Sequence, residues 1–182
     1  MKYALLVVDM LNDFIKKGAP LEVPLGRRIV NSIKGLLEKA REVGVPVVCL
    51  CDRHLPSDPE FKVWPKHTVA GTEGSNVIFE LSPKGGEFII PKRRYSGFFG
   101  TDLDLTLSEL NVDTLIITGV LTNICVLYTT VDASARGYDV IIPQDSVAAL
   151  TEENQKWALK NMEEVTKVQI AASADIEEML SR

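Results

Sequence analysis

No run of apolar residues in this chain of 182 reaches the roughly 18 that a bilayer-spanning helix needs. The opening segment Met1-Lys2-Tyr3-Ala4-Leu5-Leu6-Val7-Val8-Asp9 reads as a β-strand rather than a signal peptide, so a cytoplasmic location with no membrane partner is expected. Cysteine is scarce, with three residues, and Cys49 and Cys51 lie two apart on one expected strand. That spacing suits neither a disulfide framework nor a zinc knuckle and implies reduced thiols. Nowhere do lysines and arginines gather into a patch able to neutralise a phosphate backbone, and the formal charge is −5, so nucleic acid is not an expected partner. The densest basic stretch, Lys92-Arg93-Arg94, reads as a solvated loop as far as its two arginines are concerned.

What is present is the composition of a globular protein, 46% apolar and 25% charged, in a length that fits one domain over residues 1–182. Continuous apolar runs recur at Tyr3–Asp9, Val45–Cys51, Glu87–Pro91, Thr114–Gly119, Tyr138–Pro143 and Val165–Ala171. Runs without polar alternation are those of parallel strands buried on both faces. Helical spacing lies between them. Arg27–Val43 stops at Gly44, Thr101 can cap a helix through Leu110, and Thr122 or Asn123 can cap one ended by Gly137. Two more start at Thr151 and Ser173. Such alternation predicts an α/β fold with a mainly parallel sheet between helical layers. The exception is Asp52–Gly86, a long connection without regular periodicity that holds both histidines, and long irregular connections in compact domains are usually functional or disordered.

In an open parallel sheet the ligand site lies at the carboxyl ends of the strands. Asp9, Asp52, His54, Lys92 and Cys125 all fall at or just after such ends. Cys125 sits in the first turn of its expected helix, where free N–H groups and the macrodipole favour a thiolate. Lys92 nearby would lower the thiol pKa further, and Asp9 could take and return a proton, which are the parts of a nucleophilic hydrolase. A lone cysteine is more often a small buried hydrophobe, but its placement beside two charged partners argues otherwise. The turn Gly119–Cys125 offers the amides of Leu121 and Cys125 as oxyanion donors. Asp52 and His54, two apart on extended chain, point the same way, and His67 and Glu60 add an imidazole and a carboxylate. That donor set suits zinc, iron or manganese better than calcium or magnesium, although two lone histidines are more often ordinary surface or core residues.

The segments LLVVDMLNDF, CDRH, EFKVWPKHTVAGTEG, PKRRYSGFFGTDLDL and ITGVLTNICVLYTTVDASARGYDV resemble the nicotinamidase/pyrazinamidase branch of the isochorismatase-like cysteine hydrolases over essentially the whole chain. The resemblance implies a three-layer α/β/α fold with a six-stranded sheet, a Cys125–Asp9–Lys92 triad and a cis peptide between Val120 and Leu121. It maps a divalent metal, zinc foremost, onto Asp52, His54 and His67, with a carboxylate at Glu60 near the ion in some members. The ring nitrogen of nicotinamide would meet that metal, and Phe14, Trp64 and Tyr95 align with the aromatic residues around the ring. Relatives often form dimers or higher assemblies, so a homo-oligomer is implied. Asn12 stands where many relatives carry glutamine, and Leu121 is larger than the residue frequent there, which bears on the substrate rather than the chemistry.

The expected function is therefore hydrolysis of a small-molecule amide, nicotinamide to nicotinate and ammonia, through a thioester. One rival is the same mechanism on another small amide, such as a carbamoyl compound. A second is a non-catalytic small-molecule or metal-binding protein, and a third, redox sensing by Cys125, lacks an obvious resolving cysteine.

Overall fold

The computed structural model describes residues 1–181. Seven strands form one sheet: β1 (Tyr3–Val8), β2 (Val47–Asp52), β3 (Phe88–Lys92), β4 (Thr114–Val120), β5 (Asp139–Pro143), β6 (Val147–Ala148) and β7 (Gln169–Ala171). Their order is β3-β2-β1-β4-β5-β7, with β6 pairing β4, and every strand pairing is parallel.

The continuous apolar runs are explained by burial on both faces. Along β1, Leu5 and Val7 join one apolar cluster while Ala4, Leu6 and Val8 join the other. The first cluster is closed by Ile33, Leu36, Leu37 and Ala40 of α2 (Val30–Val43) and Ile176 of α6 (Ser173–Leu180), beside the short α1 (Asn12–Ile15). The second is closed by Leu103 and Leu107 of α3 (Leu103–Glu109), Ala133 of α4 (Leu127–Ala135) and Met162 of α5 (Glu152–Thr166). Each such enclosed aliphatic side chain contributes about 1.5–3 kcal/mol, so the two cores hold the three layers together. Among the described residues no helix is long and apolar enough to cross a membrane.

The order of strands reverses between β1 and β4: the chain builds outward through β2 and β3, then returns beside β1 and builds the other way. A crevice at the carboxyl ends of these two strands is where an open α/β sheet holds its ligand. Gly119 permits their close approach, because at φ 107° a Cβ there would lie 2.0 Å from the carbonyl oxygen of Val8.

Several boundaries differ from expectation. A seventh strand, β6, is only two residues long and leaves no periodic signal. Val165 and Thr166 extend α5 rather than start a strand, with Thr166 Oγ1 donating back to the Met162 carbonyl at 2.7 Å, and the left-handed Lys167 (φ 58°) ends the helix. Residues 27–29 belong to a 3₁₀ turn, Pro24–Ile29, ahead of α2. Thr151 caps α5 by accepting from the Asn154 N–H, as expected, whereas Ser173 opens α6 with its hydroxyl bonded to Asp145. Thr101 Oγ1 accepts from the Leu103 N–H, and Thr122 Oγ1 donates to Gln155 Oε1 instead of capping.

Candidate active site and metal centre

Three strand exits meet at Lys92, the last residue of β3, whose ammonium is fully enclosed. It lies 2.8 Å from Asp9 Oδ2 and 3.4 Å from Cys125 Sγ, contacts Asp52 Oδ1, and donates to the Arg94 carbonyl at 3.2 Å. Asp9 follows β1 in the left-handed region at φ 52°, a conformation uncommon for a non-glycine residue, and its Oδ1 accepts from the Asp52 N–H at 2.8 Å. Cys125 lies in a π-helical turn, Thr122–Val126, that leads from β4 into α4, and a cis peptide joins Val120 to Leu121. Such turns are frequent at functional sites.

Two carboxylates around one ammonium decide the protonation states. Burial works against the charge on Lys92, but Asp52 and Asp9 hold it well above its ordinary value. Asp52 is held well below the usual carboxylate range because Lys92, then the imidazoles, outweigh its burial. For Asp9, burial and then the Asp52 charge push the carboxyl up to about 6, with Lys92 only partly opposing. The Cys125 thiol departs from expectation. Burial raises it well above its ordinary value and the carboxylates of Asp9 and Asp52 reinforce the rise against Lys92. Burial and the two carboxylates thus favour the thiol over a preformed thiolate.

Beside this triad stand Asp52, His54 and His67, whose donor atoms lie within 4.8 Å of one another. Asp52 Oδ2 is 3.4 Å from His54 Nε2 and 3.7 Å from His67 Nε2. His67 Nδ1 donates to the Pro65 carbonyl at 2.6 Å, which leaves the Nε2 lone pair facing the cluster. His54 is completely enclosed, and its Nε2 and Nδ1 face Asp52 Oδ2 and Asp58 Oδ2 at 3.4 and 3.3 Å without the alignment of a hydrogen bond. A buried imidazole faced by carboxylates at both ring nitrogens, a second one fixed in the ligating tautomer, and a charged carboxylate between them fit a divalent cation of the zinc type. Glu60 Oε1 stands 3.9 Å from His54 Nε2, at the margin of the cluster.

The remaining expected residues line one cavity of about 30 Å³, partly open to the surface: Phe14, Trp64, Tyr95 and Leu121 face it together with Asp9, Asp52, Glu60, His67 and Cys125. The Phe14 ring lies 5.4 Å from that of His67, and Trp64 Nε1 donates to Tyr95 Oη at 3.0 Å. Leu21 and Ile124, not anticipated, complete the wall.

Two anchoring carboxylates also escaped the sequence reading. Asp13 accepts from the N–H of Thr68 at 2.7 Å, holding a residue at φ 42° directly after His67. Asp58, with no exposed side-chain surface, accepts from Arg93 Nε and Arg94 Nη1 at 3.2 Å each. The two arginines remain substantially exposed, as expected of a solvated loop, but are also engaged in an ion pair. Asp13 lies in the one-turn α1 and Asp58 in irregular chain, and they meet partners 55 and 35–36 residues away, so no local pattern reveals them.

A family model described as an isochorismatase domain matches residues 3–174. The chain is similar to the solved structure of N-carbamoylsarcosine amidase from Thermoplasma acidophilum, with 38% identity and a TM-score of 0.88, covering 95% of this chain and 97% of that one. It is similar to nicotinamidase/pyrazinamidase from Bacillus subtilis at 36% identity and a TM-score of 0.90, covering 94% and 100% of the two chains. It is also similar to the pyrazinamidase of Pyrococcus horikoshii in complex with zinc, at 32% identity and a TM-score of 0.89, covering 94% and 99%.

Proposed function

We propose, from the premise that the chain belongs to the isochorismatase family, that it is a metal-dependent cysteine amidohydrolase converting nicotinamide to nicotinate and ammonia. The observation that carries the choice of substrate is the lining of the cavity. It is walled by Phe14, Leu21, Trp64, Tyr95, Leu121 and Ile124, and among the described residues no lysine or arginine lines it. Lys92, the nearest ammonium, is engaged by Asp9 and Asp52. A carboxylate-bearing amide would enter beside Asp9, Asp52 and Glu60 with no free cationic side chain to meet it, only the proposed metal, whereas a neutral planar carboxamide meets apolar and aromatic walls.

In the proposed reaction Asp9 takes the Cys125 proton as sulfur attacks the carboxamide carbon, and the amides of Leu121 and Cys125 hold the oxyanion. The C–N bond breaks as Asp9 returns the proton to the leaving nitrogen, releasing ammonia and leaving a thioester on Cys125. Asp9 then draws a proton from water, whose oxygen attacks the thioester. Carboxylic acid leaves, and sulfur regains its proton. Lys92 fixes Asp9 throughout and offsets charge on sulfur and carboxylate as they exchange the proton. When bound by Asp52, His54 and His67, with Glu60 nearby, a divalent ion, zinc in this reading, would supply Lewis acidity to a ring nitrogen and added positive charge.

The test is ammonia release by metal-supplemented protein from nicotinamide, pyrazinamide and N-carbamoylsarcosine. Expected is turnover of the two ring carboxamides, reduced at least roughly 1,000-fold in Cys125→Ala. Turnover of the carbamoyl acid with none of nicotinamide would move the substrate assignment to that class, and an active Cys125→Ala would remove the mechanism.

A further inference from the structure

Two sets of metal-type donors overlap at His54: Asp52, His54 and His67, and His54, Asp58 and Glu60. The ring itself separates the two neighbouring aspartates. Nε2 faces Asp52 Oδ2 at 3.4 Å, while Nδ1 faces Asp58 Oδ2 at 3.3 Å. Asp58 is already saturated on its far side. Its Oδ1 accepts from the Glu60 N–H at 3.1 Å and from Arg94 Nη1 at 3.2 Å, and Arg93 Nε reaches Oδ2 at 3.2 Å. Two guanidinium groups at one carboxylate repel a dication from it, so Asp58 is poorly placed to ligate and well placed to receive a proton.

We propose that Asp58 is the positioning residue of the metal centre: it accepts the Nδ1 proton of His54, so that Nε2 presents its lone pair to the ion shared with Asp52 and His67, and Arg93 and Arg94 hold it in place. The inference rests on the metal reading of those three residues and adds a role for a residue that does not touch the ion. Carboxylates behind ligating imidazoles fix ring orientation and tautomer in this way, and their loss weakens metal binding about 10–100-fold. The arrangement has a further structural result. Arg93 and Arg94 directly follow Lys92, the last residue of β3, so Asp58 ties the loop carrying the metal ligands to the end of the strand carrying the triad lysine.

The experiment titrates cobalt(II) into metal-free wild type, Asp58→Ala and Asp58→Asn, reading the visible d–d bands and obtaining affinities by chelator competition. Histidine ¹⁵N–¹H spectra of the zinc-loaded proteins report the His54 Nδ1 proton. Expected are a dissociation constant about 10–100-fold weaker in Asp58→Ala, a smaller loss in Asp58→Asn, which keeps an accepting oxygen, and an Nδ1–H signal in wild type displaced in both variants. If Asp58→Ala does not fold, Asp58→Asn and the wild-type spectrum carry the test. Affinity unchanged within about twofold, or a His54 ring bound to the metal through Nδ1, overturns the proposal. Wild type that binds no cobalt at all overturns the metal reading beneath it, a result distinct from equal binding by wild type and variant.

Discussion

Asp9, the base of the proposed reaction, stands where a carboxylate is poorly accommodated. Burial and the neighbouring Asp52 push its carboxyl up to about 6, and Lys92 at 2.8 Å only partly restores the charge. A base must be unprotonated to act, so kcat/KM is expected to fall as pH drops through about 6 and to be flat just above it, measured by ammonia release at saturating metal. The effect on stability has the opposite sign. The folded state holds this proton more tightly than the unfolded chain, so the Asp9 contribution improves as pH falls from about 6 towards 3.8, and above that window the charged form costs the folded state roughly 3 kcal/mol. Asp9→Asn is therefore expected to abolish turnover while raising the melting temperature of metal-free protein at pH 7.5 by on the order of 5 °C. A calorimetric scan showing a large fall instead would mean that the Asp9–Lys92 pair stabilises the fold.

At the level of elements, the junction of β1 and β4 is the sensitive point. A methyl at Gly119 would meet the Val8 carbonyl one residue before Asp9, at a φ of 107° that a side chain resists. Gly119→Ala is expected to lose more than about 3 kcal/mol in denaturant unfolding and to lose activity even where folded, because the strand carrying the base must shift. Unaltered stability would show that the two strands can separate there without harm. Why some elements were legible follows from the same physics. Strands buried on both faces write uninterrupted apolar runs, so β1, β2 and β4 could be placed from sequence, and with them the exits that bring Asp9, Asp52, Lys92 and Cys125 together. Val165 and Thr166 misled because β-branched residues suit strands, yet α5 continues through both, with Val165 largely exposed. The thiol of Cys125 misled in another way. Its position at the start of a helical segment favours a thiolate, whereas its full enclosure, which no local pattern shows, and the charges of Asp9 and Asp52 push the thiol up.

For the molecule as a whole, the candidate metal ligands join the end of β2 to a loop held by 3₁₀ turns and by Asp13. Binding to the folded state alone should therefore stabilise everything. At zinc about 100 times its dissociation constant the gain is about 2.7 kcal/mol, which shifts the melting temperature by roughly 5–10 °C. His67→Ala should remove most of that shift in a thermal scan with and without zinc, and a wild-type protein indifferent to zinc would argue against a site there. The strand order has one more consequence. Because the triad and ligand residues are delivered by different strands at the same rim, the active constellation belongs to the assembled register and to no segment of the chain. Circular permutants opened on the opposite rim, for example at Gly44 in the turn before β2, keep every delivery intact and should stay active, whereas those opened within 53–60 or 121–124 would release a catalytic group from its strand.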